Sequence, residues 1–198
     1  MIKSYLLIFF IVFIWSVINP KDLFTWFLEV FPAIIGLIIL ILTYKKFKFT
    51  NLVYFLILIH AIILMIGGHY TYAEVPFFDY IKELFNQDRN DYDKVGHLIQ
   101  GFVPAMIARE IIIRNNIISI NAWRNFFIVC FCLALSAFYE LVEWWVAIAT
   151  NEAANDFLGT QGYLWDTQSD MAWALFGSIL ALLLLNRYHD MVLQNHLK

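Results

Sequence analysis

Apolar runs alternate with short polar breaks along the whole chain. Six of these runs approach the roughly 20 residues a helix needs to cross a bilayer. They fall at about 4–18, 24–44, 51–70, 95–113, 125–149 and 168–186. The fourth is the least apolar, because it holds His97, Gln100, Arg109 and Glu110. A different pattern occupies the long break at 71–94, where Phe77, Phe78, Ile81, Leu84 and Phe85 recur at helical spacing with Asp79, Lys82 and Glu83 among them. That pattern predicts a short amphipathic helix lying on a membrane surface. The expectation is an all-α, polytopic membrane helix bundle of six transmembrane helices, forming one domain over residues 1–198.

Composition supports the assignment without any motif. The chain is 62% hydrophobic and 15% charged, against about 25% charged in soluble domains, and its mean hydropathy is +0.69. A formal charge of −3 with no basic cluster excludes a nucleic-acid partner and leaves the lipid bilayer as the chain's surroundings. The first run resembles a signal peptide, but Ser16-Val17-Ile18-Asn19-Pro20 offers no small-x-small cleavage site, which predicts a retained first helix. Cys130 and Cys132 point about 200° apart on a helix and cannot pair with each other; they are expected to be small core residues. Trp144, Trp145 and the many phenylalanines are expected to face lipid or its interface. Pro32 and Pro104 are expected to be kinks held within the bundle.

Lys and Arg set the orientation. With the N-terminus inside, nine fall on the cytoplasmic side and Lys21, Lys82, Arg89 and Lys94 on the outer side, which predicts an N-in, C-in chain. Loop 150–166 holds no Lys or Arg. Its Gly159 and Gly162 predict tight turns, while Tyr163 and Trp165 suit an interfacial belt.

Candidate chemistry gathers where lipid should reject it. At 100° per residue, Asp93, His97, Gln100 and Pro104 fall within roughly 80° of one another, so the fourth helix opens with one polar stripe. Such a stripe faces a bundle interior or a wet cavity. Glu140 and Glu143 share a face of the fifth helix, about 15 and 10 Å below its outer end. The sixth opens with Asp166, Gln168 and Asp170, and the third ends at His69 and Tyr70. Topology places all of these in the outer half of the bundle, with Lys94 as the nearby cation. Three arrangements relieve such a concentration of carboxylates: a bound cation, shared protons, or protonated histidines.

Imidazole with carboxylate suits one divalent metal, zinc, manganese or iron. The expected ligands are His97 and Glu140 with His69 or Asp170, Asp93 orienting His97 from behind. Gln100, Asp166, Gln168 and Tyr70 are expected around the ligands or the substrate. His97, Glu140, Glu143 and Asp170 are the candidate catalytic groups for acid/base work. A hydrogen-bonded network that ties helices together is the alternative. Arg109 and Glu110 are expected to form an interfacial ion pair, and Glu29 either joins the cluster or reaches the headgroups.

The blocks Gly68-His69-Tyr70-Thr71-Tyr72-Ala73, Asp93-x-x-Gly96-His97-x-x-Gln100-Gly101-Phe102-x-Pro104-Ala105, Ala137-Phe138-Tyr139-Glu140-Leu141-x-Glu143-Trp144 and Gly159-Thr160-Gln161-Gly162-x-x-Trp165-Asp166-Thr167-Gln168-x-Asp170-Met171 closely resemble the YjdF-like family of bacterial inner-membrane proteins. That resemblance implies residence in the inner membrane and assigns no reaction. Asp93-Lys94-x-x-His97 is similar, more loosely, to a helix opening in VanZ-like proteins, which implies a lean toward envelope lipids or lipid-linked glycans. Two functional classes follow. One is an enzyme or enzyme-like binder of the outer leaflet, taking a lipid or lipid-linked substrate. The other is a non-catalytic solute carrier, ion carrier or scaffold. The inner halves of helices four to six are mostly apolar, which favours a closed pocket.

Overall fold

The computed structural model describes residues 2–150 and 164–196. Among these it contains seven helices and no strand. They are α1 (Ile2–Val17), α2 (Leu23–Thr43), α3 (Asn51–Tyr70), α4 (Pro76–Leu84), α5 (Tyr92–Arg114), α6 (Asn121–Thr150) and α7 (Asp166–His196). Five of them, α2, α3, α5, α6 and α7, are long and apolar enough to cross a membrane. With 16 residues, α1 rises about 24 Å at 1.5 Å per residue, less than the ~30 Å hydrocarbon core. α7 runs past the expected end at 186 to His196. The turns anticipated at Gly159 and Gly162, and Tyr163, lie outside the described residues.

Side chains cap the helices where the sequence changes character. Asp22 accepts the backbone N–H of Thr25 to start α2, and Thr50 Oγ1 accepts that of Val53 at the head of α3. The tail of α3 is unusual. Thr71 and Tyr72 both take the left-handed conformation, φ 59° and 55°, and the Tyr72 N–H returns to Gly67 O at 2.8 Å. This reversal lays the Tyr72 ring against Gly67 and Gly96, where any added Cβ would collide with it.

Contacts between helix ends settle their relative directions. Thr50, before α3, meets Glu110 near the end of α5. His97, early in α5, meets Asp170 early in α7 and Glu140 late in α6. Arg109, late in α5, meets His189 late in α7. So α5 and α7 run one way and α3 and α6 the other. The packed pairs are α5 with α7, α6 and α3, α6 with α7, and α3 with α1 and α2. α5 is the most buried of the long helices, with half of its apolar window inside the bundle. Its polar groups are therefore shielded by neighbours, as a stripe facing the interior requires.

Glycine allows the closest of these approaches. A Cβ on Gly101 would overlap the Ala174 carbonyl, and one on Gly177 would overlap that of Leu98. Small residues let membrane helices pack backbone to backbone. Gly101→Leu is therefore expected to force α5 and α7 apart and to lower stability by about 1–3 kcal/mol. Thermal unfolding in detergent checks this, with Gly36→Leu as control because nothing lies within 4 Å of a Cβ there.

Outward-facing Leu7, Ile11, Ile41, Leu42, Trp144, Trp145, Leu183 and Leu184 make the apolar belt that a bilayer covers. Cys132 is buried as expected, but Cys130 is exposed on that belt. The amphipathic helix expected within 71–94 is α4. Phe77, Tyr80 and Leu84 face outward, while Phe78 sets its ring edge-on to Tyr92 at 5.2 Å. Asn90 donates to Val75 O and Asp79 Oδ1, at 3.0 and 2.9 Å, and so ties α4 to the entry of α5.

Candidate functional site

α5 brings Asp93, His97 and Gln100 to the interior on successive turns. Asp170 reaches them from α7, and Glu140 and Glu143 from α6. His97, Glu140 and Asp170 are 6, 9 and 4% exposed. The imidazole is the hub. Its Nδ1 lies 2.8 Å from Gln100 Oε1 and 4.0 Å from Glu140 Oε1. Its Nε2 lies 3.3 Å from Asp93 Oδ1 and 3.8 Å from Asp170 Oδ2.

These distances carry a chemical consequence. With Gln100 Oε1 as acceptor, Nδ1 bears the ring proton, so a neutral His97 turns the lone pair of Nε2 toward two carboxylate oxygens. Three acceptors converging on one point repel unless a positive centre sits among them. A proton on Nε2 or a metal cation meets the need. Ligand atoms on a tetrahedral zinc with ~2.0 Å bonds stand about 3.3 Å apart, close to the spacings observed. Asp93, His97 and Asp170 each place one ligand atom within 4.8 Å of the others, and so do His97, Glu140 and Glu143. Among the described residues, Glu140 Oε1, Asp170 Oδ1 and Ser136 Oγ are buried without a hydrogen-bond partner, so the site keeps acceptors in reserve.

The arrangement differs from expectation in several places. Asp93 shares Nε2 with Asp170, which makes it a candidate ligand in addition to an orienting group. His69 does not join the cluster. Its phase on α3 turns it to the side that packs against α1, where Nδ1 lies 3.0 Å from Ser16 O and the ring rests on Trp15 at 4.5 Å. Tyr70 goes with it, 6.2 Å from Trp15 between ring centres. Gln168 is exposed. Asp166 is held by Arg89, Nη1 to Oδ1 at 2.9 Å. Arg89 also approaches Asp91 and Asp93, at 3.6 and 3.7 Å, and is the cation that faces the cluster, whereas Lys94 pairs with Asp91 at 2.8 Å. Glu29 reaches inward, Tyr139 donating to its Oε2 at 3.5 Å, with the Tyr139 ring 6.5 Å from that of His97. His69→Ala is accordingly expected to leave the metal content of the purified protein unchanged, which elemental analysis checks.

A second polar cluster lies at the opposite end of α5, where an interfacial ion pair was expected. Arg109 and Glu110 are 1 and 0% exposed, and His189 is 0% exposed. Adjacent positions point 100° apart, so these two residues do not pair with each other but meet the two ring nitrogens of His189. Arg109 donates to His189 Nδ1 at 2.8 Å and to Asp190 Oδ1 at 2.7 Å. Arginine only donates, so Nδ1 accepts and the ring proton sits on Nε2, which donates to Glu110 Oε2 at 3.1 Å. Glu110 also accepts from Thr50 N, Thr50 Oγ1 and Arg114 Nη1, at 2.8, 2.7 and 2.9 Å. Between the two polar ends lie Val103, Met106, Ile128, Cys132, Ala181 and Leu182, members of one buried apolar cluster.

Comparison with known proteins adds kinship without chemistry. Residues 1–191 match the family described as "Predicted membrane protein (DUF2238)". The chain is 47% identical over 179 residues to the inner membrane protein YjdF of Escherichia coli (strain K12), covering 90% of this chain and 86% of that one. No solved structure matches it.

Proposed function

The chain belongs to the DUF2238 family of membrane proteins, a multi-pass inner-membrane protein like its relative, and from that premise we propose a divalent-cation site that serves an envelope lipid or lipid-linked substrate. The observation that carries the reading is the convergence of Asp93 and Asp170 carboxylate oxygens, 3.3 and 3.8 Å away, on His97 Nε2. A bound zinc, manganese or iron would supply the missing charge and polarise an ester or phosphoryl oxygen. Asp93 and Asp170 would offset its two positive charges, and Gln100 would hold the Nδ1 proton of His97, fixing the tautomer as partners of metal-bound histidines do.

Glu140 and Glu143, on the other side of the ring, are then placed for acid/base work on a substrate entering from the membrane. With the N-terminus inside, this end of the bundle faces the outer leaflet. α4 is tied to the entry of α5 through Asn90, and the outward rings of Phe77 and Tyr80 make a greasy approach that suits a substrate with acyl chains. The apolar cluster beneath the site supports a closed floor over a continuous path, so a carrier is the weaker reading. Purified protein with manganese or zinc, incubated with total envelope lipid extract, tests the proposal by mass spectrometry. Wild type should convert or retain one class of lipid and Glu140→Gln should not. Identical lipid profiles for the two contradict the reading. Metal uptake into proteoliposomes by wild type would favour a carrier instead.

A further inference from the structure

The end of the bundle remote from His97 contains more polar capacity than its own bonds consume. Among the described residues, Arg109 Nε, Arg124 Nε, Asn125 Oδ1 and Asn186 Oδ1 are buried atoms without a hydrogen-bond partner. They lie on three helices that pack against one another. Asn186, His189 and Asp190 follow the i, i+3, i+4 spacing of one face of α7, and Arg109 on α5 bonds to the last two. Asn121, Arg124 and Asn125 repeat that spacing on the first turns of α6, and Arg124 Nη2 donates to Asn121 Oδ1. α6 packs against both α5 and α7, and Ile128 and Cys132, one and two turns beyond Arg124, share a buried cluster with Ala181 and Leu182 one turn before Asn186, which sets the two faces beside the end of α5.

The charges do not cancel. Glu110 is paired with Arg114 at 2.9 Å. Asp190 is paired with Arg109 at 2.7 Å, which leaves Arg124 as one positive charge over, next to the N-terminal turn of α6 with its favourable dipole for anions. The unmet groups are two guanidinium donors and two amide acceptors. Donors of that kind bind phosphate oxygens, and the acceptors require N–H or O–H groups on the same ligand. A single surplus charge matches a phosphodiester. Basic pockets between membrane helices bind lipid headgroups of this type.

We propose that α5, α6 and α7 form a second site here, for a singly charged phosphate bearing hydroxyl groups, of the phosphoglycerol kind. Arg109 and Arg124 hold the phosphate through their Nε–H groups, and Asn125 and Asn186 accept from the hydroxyls. Arg109 is pre-set for this, since His189 and Asp190 fix both ends of its guanidinium and the Glu110 network fixes His189. The site is independent of the His97 centre and stands or falls separately from it.

The test uses the full-length protein in detergent, titrated with short-chain phosphatidylglycerol, with phosphatidylcholine of equal chain length, and with soluble glycerophosphoglycerol, a phosphodiester without acyl chains. Binding is followed by native mass spectrometry. Phosphatidylglycerol should bind at one per chain and phosphatidylcholine at least about tenfold more weakly, because its headgroup lacks both net charge and hydroxyls. Saturation by glycerophosphoglycerol as well would assign the phosphodiester to a soluble source, and its failure to bind would assign a lipid. Arg124→Gln, half-buried and replaceable without emptying the core, should weaken phosphatidylglycerol binding about tenfold or more. Asn186→Leu should remove the preference for phosphatidylglycerol over phosphatidylmethanol, which has the charge but no hydroxyl. Equal binding of phosphatidylglycerol and phosphatidylcholine overturns the site. So does wild-type affinity in the folded Arg124→Gln and Asn186→Leu variants.

Discussion

Glu110→Ala is expected to cost about 3–5 kcal/mol of folding stability, the scale for breaking one partner out of a buried ionic network. The carboxylate accepts from Thr50 twice, from Arg114 and from His189. Its loss would leave the fully buried Thr50 N–H and His189 without acceptors and the Arg109 guanidinium resting on an unanchored ring. Because Thr50 heads α3 and His189 belongs to α7, the same change unties three helices at once. Unfolding of detergent-purified protein by heat or by a denaturing detergent measures it. Glu110→Gln should fall between alanine and wild type, since the amide can still accept from Thr50 but turns a donor toward Arg114. A loss below about 1 kcal/mol for Glu110→Ala would mean that water already satisfies this cluster.

The second large effect separates the two sides of the His97 ring. If the cation sits on Nε2, between Asp93 and Asp170, then Asp170→Ala removes a ligand and should lower metal affinity by more than the 10–100-fold typical of an outer partner. Gln100→Leu should fall within that 10–100-fold range, because it releases the Nδ1 proton that fixes the ring. Glu140→Ala should leave affinity nearly intact while removing activity on the lipid. Competition with a chromogenic chelator reports all three. The reverse ranking, with Glu140 indispensable and Asp170 dispensable, would place the ion between His97, Glu140 and Glu143.

How far the sequence foretold this arrangement depends on the residue. Helical periodicity was enough for Asp93, His97 and Gln100, since spacings of three and four on one helix fix a common face whatever the neighbours do. Reversal of successive helices was enough to bring Glu140, Glu143 and Asp170 to the same end. His69 went astray because α3 packs against α1, α2 and α5, and its position at the outer end does not say which of them its face of the helix meets; it meets α1. Choosing Lys94 over Arg89 as the facing cation failed for a similar reason, because the path of the loop before α5 decides which long side chain reaches inward.

The remote cluster was hidden by hydropathy itself. By hydropathy α7 ends where Asn186-Arg187 interrupts the apolar run, yet ten further residues stay helical to His196 and carry His189 to Arg109. One signal was available. Continuing the series from Asp170 through Ala174, Gly177, Ala181 and Leu185 by one more turn arrives at His189, which meets Arg109 of α5. Arg109-Glu110 resembled a surface pair only because adjacent opposite charges are easily taken for partners.

The account rests on a positive centre held by His97 Nε2 and the carboxylates around it. Elemental analysis of gently purified wild-type protein, beside His97→Ala at matched purity and folding, tests it most directly. One transition metal per wild-type chain and none in the variant is the predicted result. A folded wild type without stoichiometric metal, or a His97→Ala protein that retains the full complement, would contradict it.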